Sequence, residues 1–537
     1  MRVSQRAQGA LCALAVMAIA SPWIWAQTDV PVTQAHLTIR GPNTAATSFF
    51  GQPLAGGDLD GDGFDEVITA ASDGTDGYLD RVHIFRGSAD FISSRIASGE
   101  TIDLGLTAAD LEIVAEDDND QMPSAIGVGD VNGDSIADLF LSAPFHDGLG
   151  RGNSGVVYGI FGGPDLFSTS QITLGPSGGW DVRFIGAAAG DFLGAGGPAI
   201  FPFFDAPCIA VGNLNGDTYG DLVIGNHAGF NTGGFGPDGQ VFIIFGENFT
   251  SGTTFDLATT GSTGRDVRIT APADGDEMGQ ALAVGDISGD GLDDLIIGAA
   301  WHSPSLSVYS SGQAHVLRGR TTWSSSIALA STPADVTING VDSYDSVGEI
   351  VFTGDFDGDG TQDLAVGAPE DTYNLHVHFG GTRFAPGAPS AFNIGSTPGD
   401  VRVVGTGGLG AYPGAGADVD GDGRDELILP RRDFDSQLGA TDIIVGRERG
   451  EFQAIYDLDA DEFDFQITGI ANRDTAGCWA AAADTDNANG AEILVGSSFA
   501  SDEEGAVWVF DLPLPEAPTA ADFRAWEIYL RAQSTRP

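Results

Sequence analysis

Seven short acidic stretches of one pattern recur along the chain. "GGDLDGDGFDEVITAA" begins at Gly56, "VGDVNGDSIADLFLSAP" at Val128, "VGNLNGDTYGDLVIGN" at Val211 and "VGDISGDGLDDLIIGAA" at Val284. "GDFDGDGTQDLAVGAPED" follows at Gly354, "GADVDGDGRDELILP" at Gly416 and "AADTDNANGAEILVGSS" at Ala482. Their first ligand-type residues stand at 58, 130, 213, 286, 355, 418 and 484, so the intervals are 72, 83, 73, 69, 63 and 66 residues. Such a period marks a repeat architecture. It outweighs the division into about two to four domains that length alone suggests.

Each copy has the same surroundings. A short strand such as "ALAV" (281–284) precedes the acidic loop, and "DLIIGAA" (294–300) follows it. A third strand, "GQAHVLRG" (312–319), and a fourth, "DVTING" (335–340), complete the unit. The fourth strand has seven instances: "HLTIRG" at 36, "LEIVAE" at 111, "DVRFIG" at 181, "DVRITA" at 266, "DVTING" at 335, "DVRVVG" at 400 and "DFQITG" at 464. Four strands in each of seven repeats describe an all-β protein, a seven-bladed β-propeller. The last repeat ends at its third strand, "GAVWVFDL" (505–512), while the strand at His36 has no repeat of its own. Pairing these two closes the ring and removes an exposed edge. A solenoid would leave the N-terminal strand unpaired.

The acidic loop reads D-x-D-x-D-x-x-x-D, counted here as positions one to nine. Side chains at one, three and five converge on one point, position seven offers a backbone carbonyl, and position nine closes the shell. So many hard oxygen donors suit Ca²⁺ better than Mg²⁺, which prefers fewer protein ligands. The closing acid at nine and the flanking strands exclude a helical EF-hand, which closes at twelve. Loop one offers Asp58, Asp60, Asp62, Phe64 and Glu66; loop five, Asp355, Asp357, Asp359, Thr361 and Asp363; loop six, Asp418, Asp420, Asp422, Arg424 and Glu426. Loop two has Asp130, Asn132, Asp134, Ile136 and Asp138, and loop four has Asp286, Ser288, Asp290, Leu292 and Asp294. Loop three has Asn213, Asn215, Asp217, Tyr219 and Asp221, with only two carboxylates. Loop seven has Asp484, Asp486 and Glu492 but Ala488 at the fifth position. About five to seven calcium ions are expected, with loops one, five and six filling first and loop seven last.

The net charge is −53, and all 23 basic residues are Arg. Such a surface repels nucleic acid and anionic lipid, which both need basic patches. The N-terminus reads as an export signal over residues 1–26, with Arg2 and Arg6 before the apolar "ALCALAVMAIA". That stretch is too short for a stable membrane span. Cys208 and Cys478 fall in repeats three and seven, so no disulfide is expected between them.

The loops, the "GAP" of Gly367-Ala368-Pro369 and the "FG" of Phe50-Gly51 resemble FG-GAP repeats, which form the seven-bladed propeller of integrin α subunits. The resemblance covers residues 33–512, and a bacterial-style secreted relative is the better comparison. Departures are "SAP" at 142, "GNH" at 225 and "GSS" at 496. The resemblance implies calcium loops at the lower face, between the first and second strands. It also implies ligand binding at the upper face, on the loops after strands two and four.

Upper-face candidates are Phe145 and His146, His227, Trp301 and His302, with Phe201, Phe203 and Phe204 in an insertion at 187–207. They read either as a recognition surface or as polar loop residues beside a plugged channel mouth. His376 and His378 share a strand face, but no third metal ligand is evident. No "HExxH" is present and no "GxSxG" stretch reads as a strand-to-helix nucleophile elbow, so no enzyme is expected. Residues 513–537 read as a Pro-rich linker and a short helix capped by Thr519 and Asp522, with Phe523, Trp526 and Leu530 as its stripe. The expected protein is a monomer, secreted or at the cell surface, that binds an extracellular protein or glycan. A secreted carbohydrate-active lyase or hydrolase on the same scaffold is the alternative.

Overall fold

The computed structural model describes residues 28–31, 35, 37–40 and 51–511, the last without 72–79, 90–100, 105–107, 117–119, 177, 196–206, 228–238, 274, 306, 372–373, 470–474, 488–489 and 498–504. The expected export signal at 1–26, Phe50, Phe201, Phe203, Phe204, Ala488 and the tail at 513–537 lie outside the described residues.

Seven sheets form the seven blades of a β-propeller. In blade one, Leu54–Gly57, Glu66–Ala71, Arg81–Phe85 and Leu111–Val114 pair as an antiparallel meander. The innermost strands touch in cyclic order, from Leu54–Gly57 through each blade to Trp479–Ala483 and back. This ring is tight. A Cβ added at Gly57 would lie 2.5 Å from Val128 Cγ1 of the next blade. The second strands are mostly apolar beyond their first residue and buried at every position, as Asp294–Ala299 shows, because each is sandwiched between neighbouring blades. Among the described residues the core is accordingly divided into seven apolar clusters. One joins Ile68 and Val82 of blade one to Leu141 and Tyr158 of blade two.

The expected ring closure is present. Leu37–Arg40 pairs antiparallel with Ala506–Phe510 as the fourth strand of blade seven. Each sheet carries a fifth strand beside the expected four. The fifth comes from the next blade, from the chain between its third and fourth strands, and pairs in parallel along the outer edge. Gln171–Thr173 of blade two thus joins Leu111–Val114 of blade one. The same exchange places Thr253–Asp256, Ser326–Ala328, Ala391–Asn393 and Ile455–Asp457 on blades two to five, and Thr101–Asp103 on blade seven. On blade six this strand is Thr28–Pro31, in parallel with Phe465–Thr468. Among the described residues pairing begins at Thr28, ahead of the boundary expected at 33. Two N-terminal strands close the ring, one on blade six and one on blade seven.

Candidate metal loops and the opposite face

Each acidic loop joins the first and second strands of its blade, all at one end of the propeller. Position four must turn through left-handed backbone. Glycine supplies it in six loops, with φ between +69° and +79°, and Asn487 supplies it in loop seven at +54°. The turn lets the position-one carboxylate accept its own loop's amides. Asp58 accepts from Gly61 at 2.7 Å and Gly63 at 3.0 Å, and Asp355 from Asp359 at 3.0 Å and Gly360 at 2.9 Å. At positions three and five one oxygen takes an amide from two residues on, as Asp60 and Asp62 do. The second oxygen of each is left for another cationic or donor group.

Position nine is fully buried. Its carboxylate is held from two sides: Asp138 accepts from Val131 and from Gly162, each at 3.0 Å, and Asp363 from Phe356 at 3.1 Å and Gly380 at 2.8 Å. Burial raises the proton affinity of all seven. Asp138, Asp221, Asp294 and Glu492 are pushed up to about 7, Glu66 and Asp363 to about 8, and Glu426 to about 9. An adjacent cation would offset that desolvation. The donor set fits one. Asp58, Asp60 and Asp62 bring one oxygen each within 4.8 Å of one another, as do Asp355, Asp357 and Asp359, and Asp418, Asp420 and Glu426.

Neighbouring loops are laced together. The position-eight amide of each loop donates to the position-one carbonyl of the preceding loop: Ala137 to Asp58, Gly220 to Asp130, Asp293 to Asn213, Gln362 to Asp286, Asp425 to Asp355 and Ala491 to Asp418. Asp65 to Asp484 completes a circle of seven hydrogen bonds.

Two arginines reach into the loops. Arg86 places Nε 2.6 Å from Asp60 Oδ2 and Nη2 2.9 Å from Asp62 Oδ2. Arg449, from blade six, places Nε 2.5 Å from Asp357 Oδ2 and Nη2 2.9 Å from Asp359 Oδ2. Arg424 pairs with Asp422 within loop six, at 2.7 Å. Sequence reading missed Arg86 and Arg449.

The opposite face carries the loops after strands two and four. Trp301 is 47% exposed. His227 is buried with Nδ1 2.7 Å from the Ala195 carbonyl, and His302 is buried against Asp276 at 2.9 Å, so both hold loops rather than face solvent. His146 lies 3.5 Å from Glu116, and Phe145 packs edge-on against Phe192 at 5.2 Å. Tyr309, on the same loop, and Tyr344, on the loop after the fourth strand, are exposed by 50% and 61%. Their loops are zipped together: Tyr344 donates to the Tyr309 carbonyl at 2.8 Å, and Tyr309 donates to Ser343 Oγ at 3.1 Å. His376 and His378 are tied to protein. His376 Nε2 donates to Asp371, its Nδ1 accepts from Gly399, and His378 Nδ1 accepts from Arg383 at 2.6 Å. Cys208 and Cys478 are both buried.

The model of the FG-GAP repeat matches residues 122–160, 278–317 and 347–382, segments that contain loops two, four and five. The chain is an FG-GAP propeller. Loops one, three, six and seven of this FG-GAP propeller lie outside the matched segments, yet share the lacing and the buried ninth carboxylate. Phosphatidylinositol-glycan-specific phospholipase D of Rattus norvegicus is 32% identical over 169 residues, 30% of this chain and 18% of that protein. Integrin alpha-PS2 of Drosophila melanogaster is 35% identical over 114 residues, 19% of this chain and 7% of that protein. The FG-GAP propeller thus spans under a fifth of either relative. A solved exotype rhamnogalacturonan lyase aligns over 88% of this chain and 76% of its own, at 14% identity and a TM-score of 0.39. Among the described residues no helix is long and apolar enough to cross a membrane.

Proposed function

We propose that this FG-GAP propeller is an exported, calcium-stabilised recognition module that binds an extracellular protein or glycan without turning it over. The aromatic group of Trp301, Tyr309 and Tyr344 carries the reading. Exposed large aromatics on adjoining loops typify interaction hot spots. The zipped backbone holds them in advance of binding, which lowers the ordering cost of association. Ser310, Tyr344 and Ser346 adopt left-handed backbone at φ +47°, +74° and +54°, a strain that concentrates where surfaces are shaped for binding.

Calcium in the acidic loops is the second half of the proposal. Loop carboxylates and position-seven carbonyls would hold the ion at the far face, where its charge neutralises converged acids. It takes no part in the contact with the partner.

The test is a binding screen of neutral glycans and culture-derived proteins against the full chain and Trp301→Ala, with chromatography of each glycan after incubation. Binding lost with Trp301 supports the reading. Release of shorter products would replace it with a carbohydrate-cleaving enzyme, and binding unaffected by Trp301→Ala would move the recognition surface elsewhere.

A further inference from the structure

Arg86 and Arg449 make the same contact from unrelated places in the chain. Arg86 follows the third strand of its own blade, one residue before Gly87, whose amide reaches the ninth carboxylate of loop one. Arg449 stands three residues beyond the corresponding Gly446 and comes from the blade after loop five. Both nevertheless present Nε to position three and Nη2 to position five. The oxygens they take are the ones the loop backbone leaves over. In loop five Asp357 Oδ1 and Asp359 Oδ1 accept amides, and Oδ2 of each faces the guanidinium. A planar fork matches such a pair of oxygens as a point charge cannot.

The distribution follows charge. The three loops with four carboxylates each carry an arginine, though Arg424 reaches only position five of loop six. Among the described residues no ion pair engages the acids of loops two, three or four, where Asn or Ser replaces some carboxylates. Each forked arginine also lies over an aromatic ring: Arg86 over Phe167 at 5.5 Å and Arg449 over Phe379 at 4.7 Å. A guanidinium that lets go of the acids therefore keeps a cation–π partner.

We infer that Arg86 and Arg449 are resident cations that hold loops one and five closed in the calcium-free protein and must yield those oxygens for calcium to enter. This rests on the calcium reading above. It changes the filling order expected from charge alone. Loop six, with only a partial arginine contact, takes calcium ahead of loops one and five, which become the exchangeable sites. It also divides the work of stability. Without calcium, Arg449 ties blade six to blade five; with calcium, the ion holds loop five itself.

The experiment is a calorimetric calcium titration of the full chain beside Arg86→Gln and Arg449→Gln. Arginine Nε–H resonances are followed in parallel on the unaltered protein. Each substitution should tighten one site by about tenfold, the scale of a lost charge-assisted fork. Each should also lower the melting temperature in chelator, and calcium should shift two arginine Nε–H signals. Calcium binding with unchanged or weaker affinity in both variants, or with unmoved arginine signals, overturns the inference and leaves the calcium reading standing. Absence of calcium heat from all three proteins overturns both. The resonance measurement needs no substitution, so a variant that fails to fold does not remove the test.

Discussion

The amide of Asp65 donates to the carbonyl of Asp484 at 2.8 Å, and the amide of Asp484 donates back to Asp65 Oδ2 at 3.0 Å. This reciprocal pair closes the circle of loops across 419 residues of sequence. Asp65→Ala leaves the Asp484 amide without its acceptor and should destabilise the fold by about 1–3 kcal/mol. Asp65→Asn keeps an acceptor and should cost less. Equal thermal melts for the two variants would remove the side-chain bond from the account of ring closure.

Calcium should raise the melting temperature. Unfolded loops cannot converge their carboxylates, so the ion selects the folded state. The gain is about 2.7 kcal/mol per site at a hundredfold excess over the dissociation constant. Melts in calcium and in chelator check this directly, and superimposable curves would end the calcium proposal.

Left-handed backbone at position four should be a sharp constraint. Gly61 sits at φ +76°, and a Cβ there would lie 2.8 Å from Ile136 Cδ1. Gly61→Ala should cost about 1–2 kcal/mol from backbone strain alone. Gly61→Asn should incur less backbone strain, since Asn487 already holds this turn in loop seven. Melts of both variants in chelator isolate the backbone effect from the metal.

Acid should weaken the blade-four core. His315 is buried, and burial, with His302 nearby, lowers its affinity for a proton to about 4. The unfolded chain takes up that proton near pH 6.5, so it binds more protons than the folded chain in between. Stability is therefore complete above about pH 6.5 and falls as the pH drops toward 4, by at most about 3 kcal/mol for this one group. His315→Gln should flatten that part of the pH–stability curve. A variant curve that parallels the original would show that other groups control it.

Trp301→Ala should leave the melting temperature and calcium occupancy unchanged, because the side chain is half exposed and the metal loops lie at the opposite end. Binding of the partner should weaken by about 2 kcal/mol or more. Calorimetry on the partner found in the screen, together with a calcium titration, reads both effects.

Much of this fold is written in short-range pattern. Seven loops in phase, a fourth strand ahead of each, and one orphan strand at His36 are enough to place the blades and the closure. The fifth strands escape such reading. Gln171–Thr173 and Ala391–Asn393 are three residues long, largely exposed, and paired in parallel to another blade. No alternation marks them. The arginines escape for a different reason. Arg86 stands 24 residues from Asp62 and Arg449 stands 92 from Asp357, at different offsets from the strands that carry them. His227 and His302 look like surface residues in sequence. Only the packing shows that they serve their own loops.

The exchange of edge strands has a consequence for the order of synthesis. Thr28–Pro31 and Leu37–Arg40 leave the ribosome before any blade exists, yet their partners are Phe465–Thr468 and Ala506–Phe510. At about 5–20 residues per second, the first strand waits on the order of tens of seconds for its ladder to be made. Throughout that interval blades one to five can form in succession, each borrowing its outer strand from the one after it. The two waiting strands meanwhile stay open β edges, the kind of surface that invites pairing with another chain.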